Sequence, residues 1–298
     1  MEWVKRLKAR FMAGTLLMRL IYINVLVWLV IRLVVVVAFL AGGSAGGLLA
    51  QLEVPSDALA AATHPWTLLT YQFAHYDLLH ILFNMLWLYW MGRIFVAFFV
   101  PKQLGGLYVL GGLGGALLYL AAYNTLPALA SQQAFLIGAS ASVMAIVVAI
   151  AAYVPDFKIG LLFIGQVPLK WMAAVMIVLD LLSITSGNAG GHIAHLGGAL
   201  VGLWFALAMQ RGHDITSWLN RGIDHVVSLF KQRERRGPVG RPVRGGASYH
   251  YAPPVDEPAR AGLDEQRLDE ILGKLKQSGY AALTDDEKEF LFTASRKR

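Results

Sequence analysis

Residues 191–209 read GHIAHLGGALVGLWFALAM, a run with no Lys, Arg, Asp or Glu. As an α-helix this run reaches about 28 Å, the thickness of a bilayer's hydrocarbon core. It nevertheless carries His192 and His195 near one end, and its Gly198 and Gly202 form a G-x-x-x-G pair that admits a second helix closely. Polar side chains inside a membrane are costly and are functional candidates by default. The stretch therefore reads as a membrane-spanning helix with chemistry built into it.

Five further apolar segments surround this reading: Leu20–Ala41, Leu78–Phe99, Leu104–Tyr123, Ala134–Tyr153 and Leu169–Ile184. Each is long enough to cross a bilayer, the fifth only just. Over the 298 residues, 56% are hydrophobic and 15% charged, with a mean hydropathy of +0.53. A soluble domain carries about 25% charged residues, so a water-soluble single domain is excluded for most of the length. The net charge of +7 invites a nucleic-acid reading. Its placement argues against one, because Lys5, Arg6, Lys8, Arg10 and Arg19 precede the first run and most other basic residues follow Gln210. No nucleic-acid partner is expected. With no cysteine, disulfides, thiolate metal sites and thiol nucleophiles are excluded.

Lys and Arg also orient the spans. The odd-numbered connections, Gly42–Asp77, Asn124–Gln133 and Thr185–Gly190, contain neither residue. Arg93, Lys102, Lys158 and Lys170 fall on the opposite side with both basic flanks. Both termini are expected in the cytoplasm, which requires an even number of spans and agrees with six. The first apolar run is too long for a signal-peptide core and is expected to stay as an anchor.

The first outer connection is long and half apolar, so a structureless loop is not expected there. Trp66 and Tyr71 suit the headgroup region. The expected organisation is a basic N-terminus over 1–19, a membrane domain over 20–211 and a juxtamembrane helix over 212–232. A basic linker over 233–263 and a small helical domain over 264–298 follow. In the juxtamembrane segment Ile215, Trp218, Leu219, Val226 and Phe230 recur at near-helical spacing, as in a helix lying on the inner membrane surface. The linker from Arg233 to Arg244 is rich in Arg, Gly and Pro and suits anionic lipid. At the end, Leu268, Ile271, Leu272 and Leu275 form one stripe, Gly279 closes a helix, and Thr284 with Glu287 makes a capping box. That pair is too small for its own core and is expected to dock on an unknown partner.

Four polar groups interrupt the spans. His80 and Asn84, at i and i+4, share one helix face; each reads either as a hydrogen-bond donor in a site or as inter-helix glue. Gly138-Ala139-Ser140-Ala141-Ser142 heads the fourth span, and only one of the two serines can address a given site. His192 and His195 stand at i, i+3. No third or fourth metal ligand is evident beyond His75 and His80, and no metal or other cofactor is expected. Arg32 and Asp180 read either as a structural ion pair with each other or, for Arg32, as a side chain snorkelling to the interface, and the sequence leaves the choice open. Spans two, four and six all enter from the outer side, which puts His80, Ser140 and His195 about 5–6 Å below the outer boundary, with Asn84 one turn deeper. Residues serving only as glue need not agree in depth, so the coincidence favours a site.

At these residues the sequence resembles the rhomboid intramembrane serine proteases. The resemblance covers roughly Leu20 to Arg211. It rests on an H-x-x-x-N in the second span, a G-x-S at the head of the fourth and an A-H-x-G-G in the sixth. It implies an all-α fold: a six-transmembrane-helix rhomboid-like bundle, here with a small cytoplasmic C-terminal helical pair. It implies Ser140 as nucleophile and His195 as general base. His80, Asn84 and the Ser140 backbone N–H match the oxyanion-stabilising groups. His192 has no catalytic counterpart, and His75 matches an accessory position. The sequence departs from the family pattern at Ala141, usually Gly, at Met144, aromatic in some members, and at Trp66-Thr67, often W-R. The G-A-S-A-S motif and the end domain look like a bacterial branch, which implies a bacterial inner membrane.

The expected activity is an intramembrane serine endopeptidase cutting transmembrane protein substrates within membrane lipid. A Ser–His dyad is expected rather than a triad, Asp180 being the one carboxylate near a third position. The alternatives are an inactive client-binding relative and a transporter, which would carry internal symmetry and broken helices that are not found.

Overall fold

Among the described residues, seven helices of 14 residues or more carry the structure, a computed structural model. It describes residue 11, residues 13–161 and 165–230, and in the tail only Leu268, Glu270, Ile271, Gly273, Lys274, Thr284, Glu287 and Phe290. The helices are α1 Leu16–Leu40, α2 Leu78–Phe98, α3 Pro101–Thr125, α4 Ser140–Tyr153, α5 Leu169–Leu182, α6 Ala189–Gln210 and α7 Ser217–Phe230. Four of them, α1, α2, α3 and α6, are long and apolar enough to cross a membrane. The protein is a multi-pass helical membrane protein. The helices α4 and α5, at 14 residues each, reach only about 21 Å.

Local sequence explains the helix ends. Thr15 caps α1, its hydroxyl accepting from the Met18 N–H at 3.4 Å, so the helix starts at Leu16 rather than Leu20. Pro101 occupies the first turn of α3, where a missing N–H costs nothing. The largest departure from expectation is α4, which starts at Ser140 rather than Ala134. The preceding residues are extended: β2 (Phe135–Leu136) pairs antiparallel with β1 (Val54–Pro55) of the first connection. Leu136 of β2 is buried and Phe135 exposed, and within α4 every residue from Ala141 to Ala151 is buried.

Small residues let α3 and α6 close on α4 from two sides. A Cβ at Gly115 of α3 would stand 2.5 Å from the Ala141 Cβ, and one at Gly111 2.4 Å from the Ala145 Cβ. From α6, a Cβ at Gly198 would stand 2.1 Å from the Ala141 carbonyl oxygen, and one at Gly202 2.2 Å from that of Ala145. The expected G-x-x-x-G contact is therefore present, with α4 as its partner. Lipid supplies no hydrophobic drive between helices, so such close backbone packing is what holds them.

The first connection is ordered, as expected. Asp57 caps the short helix Ala58–Thr63, its Oδ1 accepting from the Ala60 N–H at 2.7 Å. Trp66 Nε1 donates to the Gln51 carbonyl at 3.0 Å, and the Tyr76 hydroxyl donates to the buried Glu53 carboxylate. A buried chain of bonds then joins connection to bundle. Asn24 of α1 donates to the Tyr108 hydroxyl at 3.1 Å, and Tyr108 donates to the Gln72 carbonyl at 2.8 Å. Between α4 and α5, β3 (Lys158–Leu161) and β4 (Gly165–Pro168) form a hairpin.

The chain divides into two units, Met1–Gln232 and Arg233–Arg298. In the first, α7 packs along α3, with Lys102 Nζ and Asp224 Oδ2 2.6 Å apart and Trp218, Ile223, Val226 and Val227 exposed. In the second, the capping box is formed: the Thr284 N–H donates to Glu287 Oε2 at 2.7 Å and the Glu287 N–H to Thr284 Oγ1 at 3.4 Å. Residues 1–10, the linker over 233–263, and Leu272, Leu275 and Gly279 lie outside the described residues.

Candidate active site

Ser140 is the first residue of α4, so its backbone N–H has no intrahelical acceptor and stands at the positive end of the helix. Residues two apart on a helix point in nearly opposite directions, and the two serines separate accordingly. Ser142 is fully buried and its hydroxyl donates to Gln72 Oε1 at 3.2 Å, whereas Ser140 lines a cavity of about 650 Å³. The same cavity is lined by His80, Asn84, Met144, Asp180 and His195. The four side chains expected to form the site thus share one space, with Met144 one turn below the serine.

His195 reaches this cavity because α6 closes on α4 at Gly198, one turn further along. Asn188 starts α6, its side chain accepting from the Gly191 N–H at 3.3 Å. On α5, Asp180 is 6% exposed, and its Oδ1 stands 2.8 Å from Nδ1 of His195 and 2.8 Å from Nδ1 of His192. A carboxylate only accepts, so both rings donate. This closes one open reading and corrects one expectation. Asp180 does not pair with Arg32, which is exposed on α1; it belongs to the histidines of α6. The histidine of the expected dyad also has a carboxylate on its far nitrogen, leaving Nε2 as the one that can serve the cavity.

Another part of the cavity wall is built from α2, by His80 and Asn84. Asn84 Nδ2 donates to the His80 carbonyl at 2.9 Å. Against the His80 ring lies Gly138, at φ +116°, and a Cβ there would stand 2.7 Å from His80 Cε1. Only glycine serves this position, for both its dihedral and its space. Behind His80, His75 is fully buried, with ring centroids 5.0 Å apart in an edge-on contact. The Ala139 N–H donates to His75 Nε2 at 3.2 Å. Burial first, and the neighbouring His80 second, push the His75 pKa down to about 3. The ring is therefore neutral, and with Nε2 accepting, its proton sits on Nδ1. His75 supports the turn into α4 rather than facing the cavity.

Ala141 is 1% exposed and sits between Gly115 and Gly198, turned away from the cavity. Its extra methyl is accommodated where α3 has only glycine. Gln72, which holds Ser142, was not legible in the sequence, and the partners of Asp180 were left open there. A lone Asp in an apolar span was the available signal for the latter.

A multi-pass helical bundle with serine, two kinds of histidine and an asparagine around one cavity agrees with the comparisons to known proteins. The Rhomboid domain matches residues 62–212, half of the chain, and the protein belongs to the rhomboid family. It is similar to RHOMBOID-like protein 12, mitochondrial, of Arabidopsis thaliana, 37% identical over 146 residues, 45% of this chain and 44% of the relative. It is also similar to presenilin-associated rhomboid-like protein A, mitochondrial, of Danio rerio, 27% identical over 177 residues, 58% of this chain and 43% of that one. The human presenilin-associated rhomboid-like protein, mitochondrial, is 25% identical over 180 residues, 59% of this chain and 44% of its own. The chain spans under half the length of the curated relatives it matches. Their names are mitochondrial, so the bacterial branch and bacterial inner membrane expected from the G-A-S-A-S motif find no support in them.

Proposed function

We propose that this protein is an intramembrane serine endopeptidase that hydrolyses peptide bonds in or near transmembrane segments of membrane-protein substrates. The observation that carries the reading is the cavity shared by Ser140, His195, His80 and Asn84, with Asp180 behind the base. Serine is a poor nucleophile until a base takes its proton, and neutral imidazole does so near pH 7.

In the proposed reaction Ser140 Oγ attacks the scissile carbonyl carbon while His195 Nε2 takes its proton. The resulting oxyanion is met by the Ser140 N–H, His80 and Asn84, donors worth several kcal/mol in such sites. The amine leaves with the proton from His195, and water then repeats the sequence on the acyl-enzyme. Asp180 is a positioning residue: by accepting from Nδ1 it keeps Nε2 unprotonated and steadies the imidazolium. A helical substrate hides its scissile bond, so segments with small residues and helix breakers near the outer end are the preferred class. Six spans with both termini on the cytoplasmic side is the topology we adopt, from the absence of Lys and Arg in the outer connections. Exposed Leu48, Leu59, Trp66 and Leu69 on the first connection suit contact with the outer lipid surface, and the small C-terminal unit is assigned to docking a partner.

The test is the detergent-purified protein with a fluorophosphonate probe and a model single-span substrate. Labelling and cleavage that both vanish in Ser140→Ala support the reading. Cleavage that survives this substitution overturns it.

A further inference from the structure

We propose that Asp180, His192 and His195 form a binding site for a divalent transition metal, zinc above all, and that its occupancy silences Ser140. The silencing half rests on the protease reading above; the site itself does not. One potential ligand atom from each of Asp180, His192 and His195 lies within 4.8 Å of the other two. Both histidines already point Nδ1 at the same carboxylate oxygen, at 2.8 Å each.

The sequence offered only two ligands here, one turn apart on α6, because the third comes from α5. The donor set is chemically selective. Two imidazoles and one carboxylate suit zinc and its neighbours, whereas magnesium and calcium prefer oxygen ligands throughout. Three protein ligands and an open fourth position make up the usual coordination of a non-structural zinc. The fourth position is available to water, since Asp180 and His195 both line the cavity. Asp180 is largely shielded, while the two imidazoles are 22% exposed and can be reached.

Silencing follows from the tautomer. Without metal, the proton of His195 is on Nδ1, donated to Asp180, and Nε2 is free to take the serine proton. A metal on Nδ1 takes that nitrogen's lone pair, and the ring's one proton moves to Nε2. A protonated Nε2 cannot accept from Ser140. The ring has not left its place; it has exchanged the nitrogen that does the work. His192 then has a role that its lack of a catalytic counterpart left open, as the ligand that turns an Asp–His contact into a metal site.

The test uses the full chain in detergent, stripped with a chelator. Cobalt(II), a spectroscopic stand-in for zinc, is titrated in and followed by its visible ligand-field bands. Wild type is expected to develop tetrahedral bands that saturate at one equivalent and are displaced by zinc. His192→Gln and Asp180→Asn are each expected to weaken cobalt binding about 10-fold or more. Zinc is then titrated against cleavage and fluorophosphonate labelling, each variant scored against its own chelator-treated rate. Half-inhibition of His192→Gln is expected at about 10-fold or more higher zinc than for wild type. Absence of cobalt bands in wild type overturns the site. Equal zinc inhibition of wild type and His192→Gln overturns the silencing. A protein that cleaves its substrate yet binds no cobalt keeps the protease reading and loses the metal site. One that binds cobalt and never cleaves, even after chelation, keeps the site and loses the protease.

Discussion

His195 and Asp180 are joined by a 2.8 Å contact between Nδ1 and Oδ1, and that contact selects the tautomer of the imidazole. It reaches across from α5 to α6, so the position of one helix relative to another sets which ring nitrogen is left for the cavity that Ser140 also lines. Asp180→Asn keeps the size of the side chain but presents an amide that can donate, which permits the wrong tautomer. Cleavage is expected to fall by about 10²-fold or more, within the range that loss of such a carboxylate costs. The fall should lie in kcat rather than KM, with slower fluorophosphonate labelling and an unchanged unfolding temperature. A loss confined to KM would assign Asp180 to substrate binding instead.

The two serines of the G-A-S-A-S stretch should part company. Ser140→Ala is expected to abolish probe labelling and reduce cleavage by about 10³-fold or more. Ser142→Ala removes a buried donor to Gln72 Oε1 and should cost about 1–3 kcal/mol of stability while retaining cleavage. Probe labelling with parallel thermal unfolding separates the two effects.

His80→Ala and Asn84→Ala are expected to lower kcat by about 10²–10³-fold each, the usual cost of a lost oxyanion donor. Labelling by a fluorophosphonate, which also develops charge on oxygen, should slow in both. Undiminished kcat in both variants would return these residues to the role of inter-helix glue.

Helix packing offers a test that does not depend on catalysis. A side chain at Gly198 meets the Ala141 carbonyl at 2.1 Å, and that is backbone, which cannot turn aside. Gly198→Val should destabilise the bundle by about 1–3 kcal/mol or more. Gly187→Ala, with nothing within 4 Å of the new atom, is the matched control. Thermal unfolding in one detergent reads both.

His75 predicts a pH dependence of stability. Its folded pKa is near 3 and its unfolded value 6.5, so between these the unfolded chain binds a proton that the folded one refuses. Stability is therefore lost as pH falls from 6.5 toward 3, at up to about 1.4 kcal/mol per pH unit for this one group. His75→Gln removes that slope. The advantage of wild type over the variant in chemical unfolding should shrink from pH 7.5 to pH 5, and a constant difference would contradict the buried neutral ring.

Much of this was legible along the chain. The membrane class, the boundaries of α2, α5 and α6, and the anomalous polarity of His80, Asn84, Ser140 and His195 could be read directly, since hydropathy and charge are properties of consecutive residues. The start of α4 was not, because Phe135 and Leu136 are as apolar as the helix they precede, and only pairing with Val54 and Pro55 makes them a strand. Nor was the place of Ala141, a departure from the family's usual Gly whose methyl packs against Gly115 of α3.

Composition and order of residues alone determined that this is a helical membrane protein, that both serine and histidine stand toward the N-terminal ends of their apolar segments, and that most basic residues gather toward the two ends of the chain. Tertiary structure alone decided which residues meet. In a soluble protein the polar face of a helix marks the side that its neighbours leave free. Here lipid-facing and protein-facing sides are equally apolar, so periodicity cannot name a helix's neighbours. The carboxylate whose partner the sequence left open therefore proved to belong to His192 and His195 on α6 rather than to Arg32 on α1.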